Sequence, residues 1–240
     1  MSFKPIIAFL AAALPCGLFA STASAQDFVL AEWDFGDPVH YPRPDDQPKP
    51  SFGDATASAK VIGMQPSTDF EEDTDGLRAW RVRGENGWDE HAAPGQQGIQ
   101  VMVDTSAAEG ALVLEMSWWA TKNAVKHGQL WLTVDGGKQW TLFGEPQVAG
   151  GVDHFSDGSE SWYELRWQFQ DLPEASGNPE FGFRFVSAYA PVEFVDSQGH
   201  SAEANSAYMK ARYEQQDDIT PYHGEDGNWR IQRIRLSSPR

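Results

Sequence analysis

Hydrophobic and polar residues alternate along much of the chain with a period of two, whereas an amphipathic helix would show a period near 3.6. Such alternation is typical of strands that bury one face. Clusters of Gly, Pro, Asn and Asp separate the alternating segments, and no stretch alternates strand and helix. We therefore predict an all-β fold, an antiparallel β-sandwich of jelly-roll type in a single domain. The predicted strands are 28–35, 59–64, 77–83, 98–103, 111–119, 130–135, 138–143, 162–169, 181–187 and 233–236.

The alternation also separates core positions from outward positions. Leu114, Leu132, Leu165 and Phe183 are predicted to face the interior. The outward positions carry charged, polar and aromatic side chains, and these are Arg81, Arg83, Glu115, Ser117, Trp119, Trp131, Glu164, Arg166 and Arg184. If the outward faces of these strands coincide, one sheet presents Trp rings beside carboxylates and guanidiniums. The simpler interpretation is a solvated face with cross-strand Glu–Arg pairs.

The N-terminal residues 1–25 have the features of a secretory signal peptide. Lys4 provides the positive start, residues 6–14 form a short apolar run, and residues 23–25 read Ala-Ser-Ala, a small-residue cleavage site. The apolar run is too short for a mature membrane anchor, so we expect no membrane insertion. Cleavage also removes Cys16, the one cysteine, which excludes disulfides, thiolate metal sites and a cysteine nucleophile. We expect a secreted protein, periplasmic or extracellular.

Residues 26–240 show no internal repeat and no domain boundary, so we predict one β-sandwich domain. Two segments of this domain are predicted to be loops. Segment 37–51 contains five prolines and must be extended and irregular. Segment 197–227 is long, polar and acidic, and loops of this length are often binding loops. The sequence leaves the oligomeric state open.

One local motif is sharp. Residues 133–140 read Thr-Val-Asp-Gly-Gly-Lys-Gln-Trp, which fits the Asp-box pattern Ser/Thr-x-Asp-x-Gly-x-x-Trp. An Asp followed by two glycines predicts a tight hairpin, because glycine accepts positive φ. The Asp135 carboxylate can accept hydrogen bonds from the turn amides, and Trp140 can fold back over the turn. A single box makes a propeller improbable, so we interpret the motif as a staple of the hairpin.

Several segments together resemble a family of secreted bacterial β-sandwich modules, most of them uncharacterised. The matching segments lie within residues 77–236 and read Trp-Arg-Val-Arg-Gly (80–84), Gly-Trp (87–88), Ala-Pro (93–94), Gln-Gly-Ile-Gln-Val (97–101), the 133–140 hairpin, Phe-Gly-Phe-Arg-Phe-Val-Ser-Ala-Tyr (181–189) and Gly-Asn-Trp-Arg-Ile (227–231). The resemblance implies an accessory-type module outside the cell and supplies no catalytic residue. Relatives end with Trp-Arg-Phe-Asp-Asn-Val, whereas this chain has Gln232 at the Asp.

Outward Trp and Arg side chains favour a carbohydrate ligand, since sugar C–H faces stack on indole rings and planar charged groups bond hydroxyls bidentately. Trp88 lies in a predicted loop beside acidic and imidazole groups, which adds a further candidate contact. The candidate ligand-binding residues are Arg81, Arg83, Trp88, Trp119, Trp131, Arg166 and Arg184. The net charge of −17 argues against nucleic acid and favours a neutral glycan, unless arginines gather locally.

The sequence leaves three functions open. The first is a non-catalytic binder of an extracellular polysaccharide, which we favour because no nucleophile, phosphate-binding or dinucleotide motif occurs. The second is a polysaccharide lyase or glycoside hydrolase that uses Glu115 and Glu164 as acid and base. The third is a structural or matrix protein without a small-molecule site. No cofactor is required. Asp69, Asp73 and Asp75 alternate before a glycine and are weak candidate ligands of a structural calcium ion.

Overall fold

The fold is described by a computed structural model that covers residues 27–41, 47–64, 70–72, 78–82, 87–149, 162–195, 199, 201–211, 221–222 and 227–239. These residues form β-strands and one short 3₁₀ turn, Pro173–Ala175. In chain order the strands are β1 (Phe28–Asp34), β2 (Phe52–Gly53), β3 (Ser58–Ile62), β4 (Phe70–Glu72), β5 (Arg78–Val82), β6 (Gly98–Val103), β7 (Val113–Ala120), β8 (His127–Thr133), β9 (Thr141–Val148), β10 (Tyr163–Gln168), β11 (Phe181–Ala188), β12 (Phe194–Val195), β13 (Ser201–Ala202) and β14 (Trp229–Ser238).

A seven-stranded antiparallel sheet is organised around β14. Its main path runs β10-β7-β14-β1-β2, and β5, which carries β4 on its far side, also pairs with β14. β14 is long enough to serve two partners: Trp229–Ile231 pair with β5, whereas Arg233–Ser238 pair with β1. A register shift between Ile231 and Arg233 separates the two halves. Register partners therefore lie in rows that cross β10, β7, β14, β1 and β2.

A five-stranded antiparallel sheet has the order β3-β6-β11-β8-β9. Its centre is β11, whose Phe181, Phe183 and Phe185 are fully buried, as their spacing of two requires. Gly128 on β8 has a packing role, because a Cβ there would lie 2.3 Å from the Phe185 ring. The absence of a side chain at residue 128 therefore lets this ring fill the space between the sheets.

The two sheets face each other across an aromatic core. The Phe185 ring lies 5.2 Å from the ring of Trp118 on β7, 5.1 Å from Trp229 on β14 and 6.0 Å from Trp167 on β10. The predicted all-β antiparallel sandwich is therefore confirmed. Of the predicted interior residues, Leu114, Leu132 and Phe183 are buried and Leu165 packs partly buried against the core.

The predicted acidic loop contains ordered structure in its described part. β13 pairs with β12, and the backbones of Met209 and Pro221 form an isolated bridge. Tyr208 is buried and donates a hydrogen bond to the carbonyl of Ala92, so this segment lies against the loop that precedes β6. Among the described residues, no helix is long and apolar enough to span a bilayer.

Candidate functional site

The outward side of the seven-stranded sheet carries a cluster of charges that pair with one another. The Glu115 carboxylate lies 3.6 Å from Arg166, 3.7 Å from Arg233 and 3.6 Å from Arg235. Arg235 also reaches Glu32 on the neighbouring strand, at 3.9 Å. We call Glu115 and its three arginines the arginine network. These ion pairs follow directly from the strand register, which places Arg166, Glu115 and Arg235 in one row.

The rest of this sheet face is also internally paired. The Ser117 hydroxyl donates a 2.6 Å hydrogen bond to Glu164 on the adjacent strand. Trp119 is only 8% exposed, because the Trp162 ring meets it edge-on at 5.4 Å and the Arg230 guanidinium lies 4.9 Å from its centroid. Arg81 is opposite Arg230 in the register. This face thus brings Glu115, Glu164, Arg166, Trp119 and Arg81 to one side, as the alternation predicted, but leaves Trp119 little open ring surface.

Trp88 belongs to the core, although the sequence suggested a loop residue that could contact a ligand. Its side chain is 1% exposed, and its ring lies 4.5 Å from that of Trp229. Its backbone amide donates to the hydroxyl of Tyr222, 134 residues away. Loop position alone does not reveal such burial, because the covering residues come from the far end of the chain.

The outward side of the five-stranded sheet carries a different set of side chains. One row crosses all five strands, since consecutive register partners lie opposite one another. We call this set the Arg184 row, and it consists of Lys60, Gln100, Arg184, Trp131 and Leu142. Lys60 is exposed and Leu142 is 46% exposed, while the other three are partly exposed. Trp131 and Arg184 therefore lie on the opposite side of the sandwich from Trp119 and Arg166, and the sequence-predicted residues do not form one face.

Arg184 is held in a fixed geometry. Its Nε and Nη2 donate to the same oxygen, Oε1 of Gln100, at 3.0 and 2.8 Å. Its guanidinium carbon lies 3.9 Å from the centroid of the Trp140 ring, a cation–π contact. Within the described part of the chain, Gln100 is its one hydrogen-bond acceptor and no carboxylate lies within ion-pair distance. Burial lowers the pKa of the Arg184 guanidinium, since no neighbouring charge offsets the lost hydration.

The Asp-box hairpin positions the Trp140 ring. Oδ1 of Asp135 accepts hydrogen bonds from the amides of Lys138 and Gln139, both at 3.0 Å, and from the hydroxyl of Thr133 at 2.8 Å. The Trp140 indole N–H donates to the carbonyl of Gly137 at 3.0 Å, where a positive φ of 88° turns the chain. The predicted staple is confirmed, and it has a second consequence: the ring that it folds back is the one stacked on Arg184.

Four of the five strands of this sheet lack acidic residues. β3, β6, β8 and β11 contain no Asp or Glu, although the whole chain has 35, whereas the edge strand β9 carries Glu145. The Arg184 row contributes two cations, Lys60 and Arg184, and neither makes an ion pair within the described residues. On the opposite sheet every described guanidinium–carboxylate pair runs between outward side chains of the same face. The two faces therefore differ in pairing: Arg166, Arg233 and Arg235 lie beside carboxylates, whereas Lys60 and Arg184 have no carboxylate partner among the described residues.

Two residues of the Arg184 row and the stacking ring were missed by sequence reasoning. Lys60 and Gln100 lie on strands that were predicted, but only a strand order places them beside Arg184. Trp140 was interpreted as part of the turn alone. Because its ring folds back over the hairpin, the sequence could have placed it near the outward face that carries Trp131. Four predicted residues, Arg83, Asp69, Asp73 and Asp75, lie outside the described residues, so their expected roles stay predictions.

No group of three or more His, Cys, Asp or Glu side chains is arranged to hold a metal ion among the residues that the structure describes. No protein-family profile matches the chain, and no curated protein matches it either. The resemblance to secreted β-sandwich modules therefore stays a prediction.

Proposed function

We propose that this protein is a secreted, non-catalytic β-sandwich module that binds an extracellular glycan through the outward face of its five-stranded sheet. The observation that carries the proposal is the Arg184 guanidinium, stacked 3.9 Å from the Trp140 ring, bonded to Gln100 and lacking a carboxylate partner in the described part of the chain. An unpaired cation held in a rigid frame beside a partly exposed Trp131 is an arrangement suited to a ligand.

The chemistry of this face fits a sugar. Pyranose rings present apolar C–H surfaces that can stack on indole rings, and Trp131 and Trp140 both retain partial exposure. Planar groups such as Arg184 and Gln100 form directional hydrogen bonds with ring substituents. Because Gln100 and Trp140 already fix the guanidinium, little side-chain entropy is lost when a ligand binds.

The opposite face is the weaker candidate. Its carboxylates already have partners, since Glu115 contacts three guanidiniums and Glu164 accepts a hydrogen bond from the Ser117 hydroxyl. A glycosidase or lyase needs carboxyls that face a bound substrate, and nothing in these contacts favours that role over cross-strand pairing. The binding experiment therefore also distinguishes two alternatives, a lyase or glycosidase and a matrix protein.

The test is electrophoresis of the purified mature protein in gels containing single polysaccharides, both neutral and acidic. We expect at least one polysaccharide to retard the protein and Trp131→Ala to reduce the retardation by about tenfold or more in apparent Kd. Leu142→Glu, at the exposed end of the same row, should also weaken binding without touching the core. Arg166→Gln on the opposite sheet is the matched control and should bind like the wild type.

Three results would contradict the proposal. Retardation by no polysaccharide would favour a matrix protein. Release of reducing ends or of unsaturated products would favour an enzyme. Loss of binding in Arg166→Gln, with normal binding in Trp131→Ala and Leu142→Glu, would move the site to the other sheet. The proposal needs no cofactor; the calcium prediction for segment 69–75 is checked separately, by comparing the melting temperature in calcium and in chelator.

A further inference from the structure

Building on the proposed glycan site, we propose that its ligand is an acidic polysaccharide whose sugar carboxylate is bound by Arg184. The starting observation is the hydrogen-bonding state of the Arg184 row. A guanidinium has five N–H protons. Two of the protons of Arg184, one on Nε and one on Nη2, go to Oε1 of Gln100. The remaining Nη1 and Nη2 protons form an edge that matches the two oxygens of a carboxylate.

The other polar groups of this row are donors as well. Oε1 of Gln100 has two lone pairs, and both are used by Arg184, which leaves its Nε2 amide to donate. Lys60, in register with Gln100, is exposed and can only donate. The nearby hydroxyl of Thr133 already donates to Asp135. A neutral sugar needs acceptors for its hydroxyl protons as well as donors, whereas an anionic group needs donors alone. The available groups of this row therefore match an anion.

The charge distribution supports the same ligand class. The protein carries a net charge of −17, so a polyanion is repelled unless a local region is positive. Lys60 and Arg184 provide two cations in the middle of this sheet, on strands that contain no acidic residue, while Glu145 lies on the edge strand β9. The closest acid along β8 is Asp135, whose Oδ1 accepts hydrogen bonds from its own turn amides. The unpaired cations of the Arg184 row thus favour an acidic glycan over the neutral glycan that the overall charge suggested.

A carboxylated sugar fits better than a nucleic acid. Nucleic-acid binding at physiological salt rests on several phosphate contacts at once, whereas this row offers two cations. A uronic acid combines one carboxylate with one pyranose ring, and the row offers one bidentate guanidinium edge beside Trp131. The predicted recognition unit is thus a single uronate residue within a longer chain, its carboxylate on Arg184 and its ring toward the indole.

The experiment compares two forms of one polymer, polygalacturonate and its fully methyl-esterified form, by affinity electrophoresis at 0.15 M salt; alginate serves as a second uronate. We expect a uronate polymer to bind at least tenfold more tightly than the ester, because esterification removes the charge and one acceptor of the bidentate pair. Arg184→Gln should remove this preference. Arg184→Lys should retain part of it, since it keeps the charge but not the planar edge.

Arg166→Gln, which removes the same charge from the opposite sheet, should keep the full preference. Melting temperatures of all variants show whether each is folded. The acid and the ester are compared with the same variant, so a partly destabilised protein still gives a valid ratio of the two affinities. Equal binding of acid and ester, or tighter binding of a neutral glycan that depends on Trp131, would overturn the inference while the proposed function stands. Preferential binding of a sulfated glycan or of single-stranded DNA would also overturn it. Binding of no polysaccharide would overturn both.

Discussion

Replacing Glu115 by Gln should destabilise the fold without affecting ligand binding. The substitution keeps the size of the side chain but leaves three guanidiniums, at 3.6 to 3.7 Å from the present carboxylate, without their shared anion. An exposed ion pair contributes about 0.2–1 kcal/mol. The side chains of Arg166 and Arg233 are 50% and 39% exposed, so their pairs belong at the lower end of this range, while the less exposed Arg235 keeps Glu32 as a second partner. The total loss should be about 1–2 kcal/mol in the free energy of unfolding.

Urea unfolding followed by tryptophan fluorescence measures this loss, and a domain of this size should melt about 2–4 °C lower per kcal/mol. Glu164→Gln is the matched control, because it is on the same face and has one hydrogen bond, to Ser117. The effect of Glu115→Gln should shrink in 1 M salt, where the Debye length is about 3 Å. A variant as stable as the wild type at 0.15 M salt, or a loss that salt does not reduce, would refute the reasoning.

Three further predictions concern packing and pH. Gly128→Ala should lower the free energy of urea unfolding by about 1–3 kcal/mol, because its Cβ would lie 2.3 Å from the Phe185 ring. Adding Phe185→Leu to Gly128→Ala should recover part of this loss. A double variant whose loss equals the sum of the two single losses would contradict this explanation. Turn amides and Thr133 lower the pKa of Asp135, so its contribution is present above the unfolded pKa of about 4 and is lost as pH falls through the lower folded value. Asp135→Asn should therefore reduce the melting temperature at pH 7, and its difference from the wild type should shrink as the pH falls below about 4. Burial raises the pKa of Tyr208 to about 12, so the neutral phenol stabilises the fold below about pH 10 and this stabilisation is lost as pH rises. The stability advantage of the wild type over Tyr208→Phe should therefore shrink above pH 10. An advantage that does not change with pH would count against this burial.

Local sequence pattern predicted ten of the fourteen strands that the structure describes, together with the side of each that faces the core, and missed the short β2, β4, β12 and β13. Period-two alternation has a direct physical cause, since successive side chains of a strand point to opposite faces of the sheet. The Asp-box hairpin was equally predictable, because its hydrogen bonds connect residues at most four apart in sequence. These features depend on interactions within a single strand or turn.

The composition of each face was not predictable in the same way. Alternation assigns Trp131 and Trp119 to outward positions, but it does not say which sheet each strand joins. That choice depends on pairings such as Arg184 with Trp131 and with Gln100, which connect residues far apart in sequence. Trp88 shows the same limit, because its burial comes from contacts with the C-terminal part of the chain.

The most direct measurement is an NMR titration of the isotopically labelled mature protein with a galacturonate oligomer, following the indole N–H and the arginine Nε–H signals. If the five-stranded sheet holds the site, the signals of Trp131, Trp140 and Arg184 should shift together and saturate at one Kd. Those of Trp119 and Trp162 should stay unchanged, because they are on the opposite side of the sandwich. Shifts confined to Trp119 and Trp162, or no saturable shift at Arg184, would contradict the assignment of the binding face.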